Sequence, residues 1–339
     1  MKIISIIIPM YNSEKFIDKC LQSLLVPKEY LEKLDIVVVN DGSTDGSQKI
    51  VEKYVEQYPD SIQLLNKKNG GHGSAINAGL TLCKGKYLKV LDADDWVETI
   101  GLEQVVMKLE KYDVDLVATN YKTYHVVTKE SCLHKGNQEE DFIVNMNDVL
   151  QQWKQVKGIF CIHGLIFQTS FYKGINKQLP ENVFYDDAYY YTVMACFAKK
   201  LLLLPNVITV YRIGDVSQSV SAESRIRRVK QHEAVIQAIL REKEQVETFS
   251  EDAREYWLRK VETTICDYYV TTLLRFRKRK EGRALSKELK AYIKEFDYEL
   301  DQRLKKRYFI LKLLHVFHIR EYHFERLVAS TLYKKLRKG

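Results

Sequence analysis

Three aspartates stand within four residues after a short apolar run, at Asp92, Asp94 and Asp95. Their like charges repel one another unless a cation lies between them. Carboxylate oxygens are ligands that Mg²⁺ and Mn²⁺ prefer, and both ions also bind diphosphates. The pattern predicts a divalent metal held by Asp94 with help from Asp92 or Asp95, bridging to a nucleotide diphosphate. Helix capping is the alternative, and it accounts for one of the three aspartates rather than for all.

A second acidic segment, Asp41–Glu52, comes close to the pattern of an EF-hand calcium loop. A valine-rich run precedes it where an EF-hand has a helix, and Gln48 takes a position where an apolar residue is expected, so that interpretation is weak. Two compatible alternatives remain. Ser43 or Asp45 caps the following helix, and Asp41 accepts a hydrogen bond from a base or a ribose.

Alternating strand and helix patterns fill the first 120 residues. The predicted strands are apolar and rich in β-branched residues: Ile3–Pro9, Ile36–Val39, Ile62–Leu65, Tyr87–Leu91 and Leu116–Thr119. Amphipathic helical patterns with short connections separate them. This order predicts an α/β fold with a mostly parallel, doubly wound sheet of the Rossmann-like type.

Polar clusters follow three of these strands, at 9–12, 40–43 and 92–95. Ligands of open α/β sheets bind beyond the carboxyl ends of the strands. We therefore expect the three clusters to form a single site at one edge of the sheet.

The remainder of the chain is organised differently. Residues 121–220 are less regular, with predicted strands at Ile159–Phe167 and Leu201–Tyr211 and a predicted helix at Asp187–Lys199. The pattern is helical from about residue 221 to 339. We predict one α/β domain over 1–220, divided near residue 120, followed by a helical region.

Composition limits the class of protein. The chain has 339 residues, 45% of them apolar and 29% charged, which suits one large or two smaller folded domains. Its six cysteines are at least 29 positions apart, so we expect free thiols in a reducing compartment. No apolar stretch approaches the ~18 residues of a spanning helix, and the first residues resemble a strand rather than a signal peptide. We expect a cytoplasmic protein.

Positive charge is concentrated in residues 303–339, which hold eleven Lys or Arg and two Glu. The rest of the chain is nearly neutral, which argues against an enzyme of nucleic acids. Apolar residues recur there at helical spacing: Leu304, Tyr308, Leu311, Leu314, Phe317, Phe324, Val328, Leu332 and Leu336. A basic amphipathic helix predicts peripheral contact with an anionic membrane. A helical bundle packed on the first domain, with a solvated basic face, is the alternative.

Three segments together resemble the family 2 glycosyltransferases, which are inverting enzymes with the GT-A fold. They are Ser5–Asn12, Val37–Asp45 and Gly85–Asp95. The resemblance is close over residues 1–120 and looser over 120–220. It implies that Pro9 and Tyr11 line a uracil pocket.

The same resemblance implies roles for further residues. Asp41 would accept a hydrogen bond from the uracil, and Asp92 would contact the donor ribose or sugar. Asp94 would bind the metal, Mn²⁺ or Mg²⁺, and Arg212 could reach a phosphate.

The catalytic base of the family is an acidic pair at a helix start, where this chain has Asp186 and Asp187. Asp187 matches the base, and Asp186 replaces the usual Glu, so both remain candidates. Helix capping is the alternative for the pair.

One departure from the family lies in the glycine-rich segment Gly70–Asn77, where Ile76 replaces an arginine of many members. Backbone amides of this segment, His72 or Asn77 would then contact the donor. A polar turn residue is an equally good interpretation of His72. His163 is either a core histidine, the commoner case, or a contact for the acceptor.

The resemblance therefore implies a metal-dependent, inverting transfer of a hexosyl or N-acetylhexosaminyl group from a UDP-sugar. The expected acceptor is a cell-surface polysaccharide or wall glycan, with a chain carried on a lipid at the inner face of the plasma membrane as one form of it. A catalytically inactive scaffold that binds sugar nucleotides is the alternative. Homo-oligomer formation is left open.

Overall fold

The computed structural model describes residues 1–215, 218, 219 and 221–320. These residues form two compact units. The first contains Met1–Asp215 and Arg241–Trp257, and the second contains the described residues between 218 and 240 and between 258 and 320. The sequence predicted a single boundary near residue 220. It did not predict that residues 241–257 group with the first unit.

One ten-stranded sheet forms the centre of the first unit. Its strands are β1 (Ile4–Met10), β2 (Leu34–Asn40), β3 (Ile62–Asn66), β4 (Tyr87–Val90), β5 (Trp96–Val97), β6 (Leu116–His125), β7 (Ser131–His134), β8 (Phe142–Val144), β9 (Leu165–Gln168) and β10 (Leu201–Ile213). The main path runs β3-β2-β1-β4-β9-β6-β10-β5, with β7 on β6 and β8 on β10.

The first half of the sheet is parallel, as the alternating pattern predicted. Strands β1, β2, β3 and β4 pair in parallel, and every residue of β1 and β2 is buried. Continuous apolar strands of this kind need cover on both faces. The α/β class is thereby confirmed.

The second half of the sheet is mixed. Strand β9 pairs antiparallel with both β4 and β6, and β10 pairs parallel with β6. The strand predicted over Ile159–Phe167 begins only at Leu165. The helix predicted over Asp187–Lys199 is a short α-helical turn, Asp187–Tyr189, followed by a π-helical turn, Tyr190–Met194.

Helices cover the sheet and connect its strands. Those that begin before residue 200 are α1 (Ile17–Ser23), α2 (Lys28–Leu31), α3 (Ser47–Gln57), α4 (His72–Leu82), α5 (Thr99–Lys111), α6 (Met146–Gln151), α7 (Trp153–Val156), α8 (Thr169–Gly174) and α9 (Asp187–Tyr189). Helix α4 matters most for the site, because it begins at His72 directly after the glycine-rich turn.

From residue 222 onward the described chain is helical. The elements are α10 (Ala222–Arg227), α11 (Val229–Arg241), α12 (Lys243–Glu247), α13 (Glu251–Val270), a π-helical turn (Thr271–Arg275), α14 (Arg279–Phe296) and α15 (Tyr298–Val316). No described helix has the length and apolar character needed to cross a bilayer.

Part of the stripe proposed for membrane contact lies in the core of the second unit. Leu304, Tyr308 and Leu311 on α15 are buried, whereas Phe317 is 72% exposed. The helical period identified one apolar face, and packing within the second unit uses that face. The stripe residues from Phe324 to Leu336 lie outside the described residues.

Candidate active site

The carboxyl ends of β1, β2 and β4 meet at one edge of the sheet. Met10 lies opposite Asn40, and Ile7 lies opposite Val90 in the parallel register. The Asp41 amide donates a hydrogen bond to the Met10 carbonyl at 2.8 Å. The structure therefore brings together the three polar clusters that follow these strands.

Asp41 organises the glycine-rich turn. Its carboxylate accepts hydrogen bonds from Lys67 Nζ at 2.7 Å, from the Gly70 amide at 3.0 Å and from the Gly71 amide at 2.8 Å. Its side chain is only 4% exposed. The amides proposed to contact a donor are thus held by Asp41, and a nucleobase would have to share this carboxylate with them.

The two residues proposed for a base pocket differ in exposure. Pro9 lies inside β1 and is buried. Tyr11 follows the strand and is 53% exposed. Of the two, Tyr11 offers the ring surface on which a planar base could stack.

His72 joins two separate acidic groups. Its Nδ1 lies 2.8 Å from an Asp186 carboxylate oxygen, and its Nε2 lies 3.0 Å from an Asp92 carboxylate oxygen. Burial disfavours the charged imidazole, but the charge of Asp186 and hydrogen bonds to both carboxylates outweigh burial and raise the pKa of His72 well above its usual value. An imidazolium that donates from both nitrogens fits this position.

The pairing also acts on Asp92. Burial opposes ionisation of Asp92, yet the hydrogen bond and the charge of His72 hold the pKa of this carboxyl below its usual value. Asp92 is therefore ionised at neutral pH. The ring of His72 links it to the loop that carries Asp186.

That loop is fixed against helix α4 by a second set of bonds. Asn77 accepts from the Leu179 amide at 2.9 Å and donates to the Leu179 carbonyl at 3.0 Å. The Asn182 amide donates to the Gly70 carbonyl at 2.7 Å. A Cβ at Gly73 would lie 2.3 Å from the Pro180 carbonyl oxygen, so the approach requires glycine there. In the structure Asn77 contacts the loop, and Ile76 is buried.

The two candidate bases have different surroundings. The Asp186 side chain is 3% exposed and is paired with His72. Asp187 is only partly buried and opens helix α9. Tyr185 before them has φ +70°, a left-handed conformation that is rare for an aromatic residue. A π-helical turn follows them, and both features are typical of functional sites.

A possible metal centre consists of two aspartates of the acidic cluster and one histidine. Ligand atoms of Asp92, Asp95 and His163 all lie within 4.8 Å of one another. Asp95 Oδ1 accepts from the Arg212 amide at 2.8 Å, while Oδ2 is buried without a hydrogen bond among the described residues and lies 3.5 Å from His163 Nδ1.

Protonation at this centre reflects burial. Burial and the charges of Asp92 and Asp94 raise the pKa of Asp95 well above its usual value. Burial lowers the pKa of His163 to about 4, so its ring is neutral at neutral pH. A cation bound between these groups would favour the ionised form of Asp95, and a neutral imidazole is the form of histidine that binds metals.

Asp94 is placed differently from its two neighbours. One of its oxygens lies 3.6 Å from Arg212 Nη1, and Arg212 also donates to Asp215 at 2.7 Å. The guanidinium carbon lies 4.4 Å from the centre of the Phe16 ring. Arg212 thus stands at the acidic cluster, within reach of the region where a diphosphate would meet Asp94.

A buried lysine behind the site was not predicted from the sequence. Lys89 on β4 is 0% exposed, and its Nζ donates to the His163 carbonyl at 2.7 Å. Burial lowers its pKa to about 8, although Asp95 and Asp92 act in the opposite direction. The sequence does contain an indication of this buried lysine, because Lys89 interrupts an otherwise apolar strand.

Comparison with known proteins finds relatives among glycosyltransferases. The model of "Glycosyl transferase family 2" matches residues 5–175, about half of the chain. GlyG, a glycosyltransferase of Streptococcus pneumoniae, is 26% identical over 210 residues, which are 62% of this chain and 68% of GlyG. GlyA, a glycosyltransferase of the same organism, is 35% identical over 122 residues, which are 36% of this chain and only 17% of GlyA.

A solved structure shows the same fold. The crystal structure of S. aureus TarS 1-349 aligns with a TM-score of 0.65 at 17% identity, covering 97% of this chain and 92% of that one. A complex of the same TarS segment with UDP-GlcNAc aligns with a TM-score of 0.55 at 18% identity, covering 93% and 91%. The likeness confirms the predicted GT-A fold, and the family match confirms the resemblance seen in the sequence. The chain belongs to glycosyl transferase family 2.

Proposed function

We propose that the protein transfers a hexosyl or N-acetylhexosaminyl group from a UDP-sugar to an acceptor hydroxyl, with inversion at the anomeric carbon. The observation that carries the proposal is the bridge from Asp92 through His72 to Asp186. It joins the acidic cluster expected at the donor diphosphate to the loop expected to supply the base. This bridge supports a transfer site, because it links the proposed donor half to the proposed base.

The donor half rests on residues around the ends of β1 and β2. The exposed Tyr11 ring is proposed to stack on uracil, with Pro9 supporting it and Asp41 accepting a hydrogen bond from the base. Binding of UDP-GlcNAc by TarS supports a UDP-sugar of this kind, because TarS shares the fold.

A divalent cation, Mn²⁺ or Mg²⁺, fits the residues below the diphosphate. The buried Asp95 oxygen without a hydrogen bond, the ionised Asp92 and the neutral His163 are donors such an ion accepts. Asp94 is a further proposed ligand at the edge of this group. When bound, the cation would neutralise charge on the departing diphosphate. Arg212 is proposed to contact the same phosphates from the other side of Asp94.

Asp187 is the proposed base. A base must reach the acceptor hydroxyl, and Asp187 is partly exposed, whereas Asp186 is enclosed and already binds His72. Asp187 takes the hydroxyl proton as the acceptor oxygen attacks the anomeric carbon from the face opposite the diphosphate. One displacement then inverts the configuration. Asp186 acts as a positioning residue by fixing the start of α9.

The acceptor is proposed to be a bacterial cell-surface polysaccharide or wall glycan, reached on the cytoplasmic side where nucleotide sugars occur. A lipid-linked chain is the form of acceptor that would bring the enzyme to the membrane. The family resemblance and the bacterial origin of the relatives support this class of acceptor.

The test begins with calorimetric binding of UDP in Mn²⁺ and in EDTA. We expect binding that needs Mn²⁺ and is weakened in Asp92→Ala and in Asp94→Ala. Asp113→Ala is the matched control, because this carboxylate is 76% exposed and remote from the site. A folded protein that does not bind UDP would overturn the donor assignment.

Turnover then tests the base. UDP release from a panel of UDP-sugars, with glycan acceptors, should fall by roughly 10²–10⁴ in Asp187→Asn while UDP affinity is kept. Equal turnover in Asp187→Asn and the wild type contradicts the assignment of Asp187. UDP binding without turnover on any donor in the wild type favours the inactive scaffold.

A further inference from the structure

Helix α15 has two apolar faces, and only one of them is packed. The packed face contains Leu300, Leu304, Tyr308 and Leu311, each 9% exposed or less. The opposite face exposes five large apolar side chains: Phe309 (58%), Ile310 (43%), Leu313 (40%), Val316 (52%) and Phe317 (72%). Their spacing of three and four residues puts them on one side of the helix. We call this set the α15 apolar face.

Basic residues surround the α15 apolar face. Lys305 and Lys312, two turns apart, line one edge, and Lys306 lies on the face near its start, all of them exposed. Between residues 302 and 320 the chain has no Asp or Glu. The two acidic residues of α15 are in its first turn: Glu299 is exposed, two turns before Lys306, and Asp301 is 7% exposed and is bound to Lys290. The surface is therefore apolar at its centre, and most of the charged side chains along it are positive.

We infer that the α15 apolar face docks on an anionic lipid bilayer, with the helix lying in the plane of the interface. Aromatic and aliphatic side chains would enter the boundary between headgroups and acyl chains, and the lysines would meet lipid phosphates. The helix is not apolar enough to span a bilayer. In-plane binding is therefore the mode that this face supports.

Charge decides between a membrane and a second copy of the chain. A symmetric dimer places the same surface on both partners. Lys305, Lys306 and Lys312 would then face their own counterparts, and Glu299 is the single exposed carboxylate of α15 to set against these three charges. An anionic bilayer supplies the complementary charge and buries the apolar side chains together.

This inference does not depend on the proposed transfer reaction. It identifies the side chains that contact lipid as a set distinct from the buried stripe of Leu304, Tyr308 and Leu311. Its test needs no donor, metal or acceptor, so failure of either proposal is separately visible.

The experiment is co-sedimentation of the full-length protein with vesicles. Vesicles of phosphatidylglycerol and phosphatidylcholine are compared with vesicles of phosphatidylcholine alone, at low and high salt. We expect binding to the anionic vesicles that weakens as salt rises. The double variant Phe309→Ser/Phe317→Ser should bind roughly tenfold more weakly or worse. The triple variant with Lys305, Lys306 and Lys312 changed to Gln should lose roughly tenfold as well.

Matched controls use exposed residues of the first unit. Val127→Ser/Phe142→Ser removes apolar side chains that are 72% and 52% exposed. A second control changes the exposed Lys28, Lys199 and Lys200 to Gln. Both controls should bind like the wild type.

Three results overturn the inference. The first is wild-type protein that does not bind anionic vesicles. The second is binding that the control substitutions weaken as much as the α15 variants do. The third is a dimer, seen by light scattering, that Phe309→Ser/Phe317→Ser dissociates, because a second copy would then be the occupant.

Discussion

The Nδ1 atom of His72 lies 2.8 Å from the carboxylate of Asp186, although the residues are 114 positions apart in the chain. The side chain of Asp186 is almost fully enclosed, and His72 supplies the positive charge that makes this burial tolerable. Because the second nitrogen of His72 binds Asp92, the loop before α9 and the loop after β4 are joined through one ring.

His72→Ala should therefore destabilise the protein as well as slow transfer. Removal of the imidazole leaves Asp186 enclosed without its charged partner, and we expect a loss of about 2 kcal/mol in the free energy of unfolding. Urea denaturation measures this loss. The control is His318→Asn, at an exposed position with φ +60° that Asn tolerates, where the change should stay within about 0.5 kcal/mol. Equal stability of the two variants would show that the bridge contributes nothing.

Gly73→Ala should push the loop before α9 away from helix α4 by steric contact alone. The new Cβ would meet the Pro180 carbonyl oxygen at 2.3 Å and an Asp186 carboxylate oxygen at 3.2 Å. We expect a loss of about 1–3 kcal/mol in stability, since the contact is with backbone that cannot rotate away.

The matched control for that variant is Gly174→Ala, a helical glycine whose Cβ would meet nothing within 4 Å. This change should be neutral or stabilise by up to about 1 kcal/mol, because alanine restricts the unfolded chain. Thermal denaturation of both variants is the measurement. If Gly73→Ala is as stable as Gly174→Ala, the loop does not pack as closely as the structure shows.

Lys89→Met should make the protein more responsive to Mn²⁺. The buried ammonium lies behind Asp92 and Asp95 and offsets part of their charge. Its removal lowers stability without metal, because the His163 carbonyl loses the bond from Lys89 and keeps the one from the Thr209 hydroxyl, and leaves a more negative pocket for a cation. The rise in Tm on adding Mn²⁺ should be larger than in the wild type.

Lys86→Met is the control for Lys89→Met, because Lys86 lies just before the same strand, is 28% exposed and bonds to the Tyr112 carbonyl. Its response to Mn²⁺ should match that of the wild type. A rise in Tm for Lys89→Met no larger than that of the control would argue against a cation at Asp92, Asp95 and His163.

Much of the first half of the sheet could be predicted because its signals are local. A buried parallel strand such as β1 is a continuous apolar run, and the polar residues after it must lie at the sheet edge. The pairing of His72 with Asp186 could not be predicted in this way, because it depends on how two distant loops pack. The arrangement of Asp94 against Arg212 has the same origin, since β10 contributes Arg212 from far along the chain.

Helical periodicity also failed to show which apolar face of α15 is exposed, for a related reason. Both faces of α15 carry apolar residues, so a stripe read along the sequence does not say which face is packed. Leu304 and Tyr308 belong to the core, and Phe309, one residue later, belongs to the exposed face. Only tertiary packing distinguishes the two.

His232 on α11 should make the helical unit sensitive to acid. The residue is 4% exposed, and burial lowers its pKa to about 4, from an ordinary value near 6.5. The charge of Asp267 acts to raise this pKa, Arg225 and Arg275 act to lower it, and the ring lies 5.8 Å from that of Tyr268. The unfolded chain therefore binds a proton at His232 in a pH range where the folded chain does not.

The free energy of unfolding therefore decreases as the pH falls. The stability contributed by the neutral His232 is complete above pH ~6.5 and is lost as the pH falls toward ~4, by up to about 3 kcal/mol. His232→Gln should lower stability at pH 7 but flatten its fall between pH 7 and pH 5, as measured by urea denaturation at each pH. The comparison with the wild type isolates His232 from carboxylates that titrate in both proteins. Parallel stability curves for the two proteins over that range would mean that His232 is not held neutral in the fold.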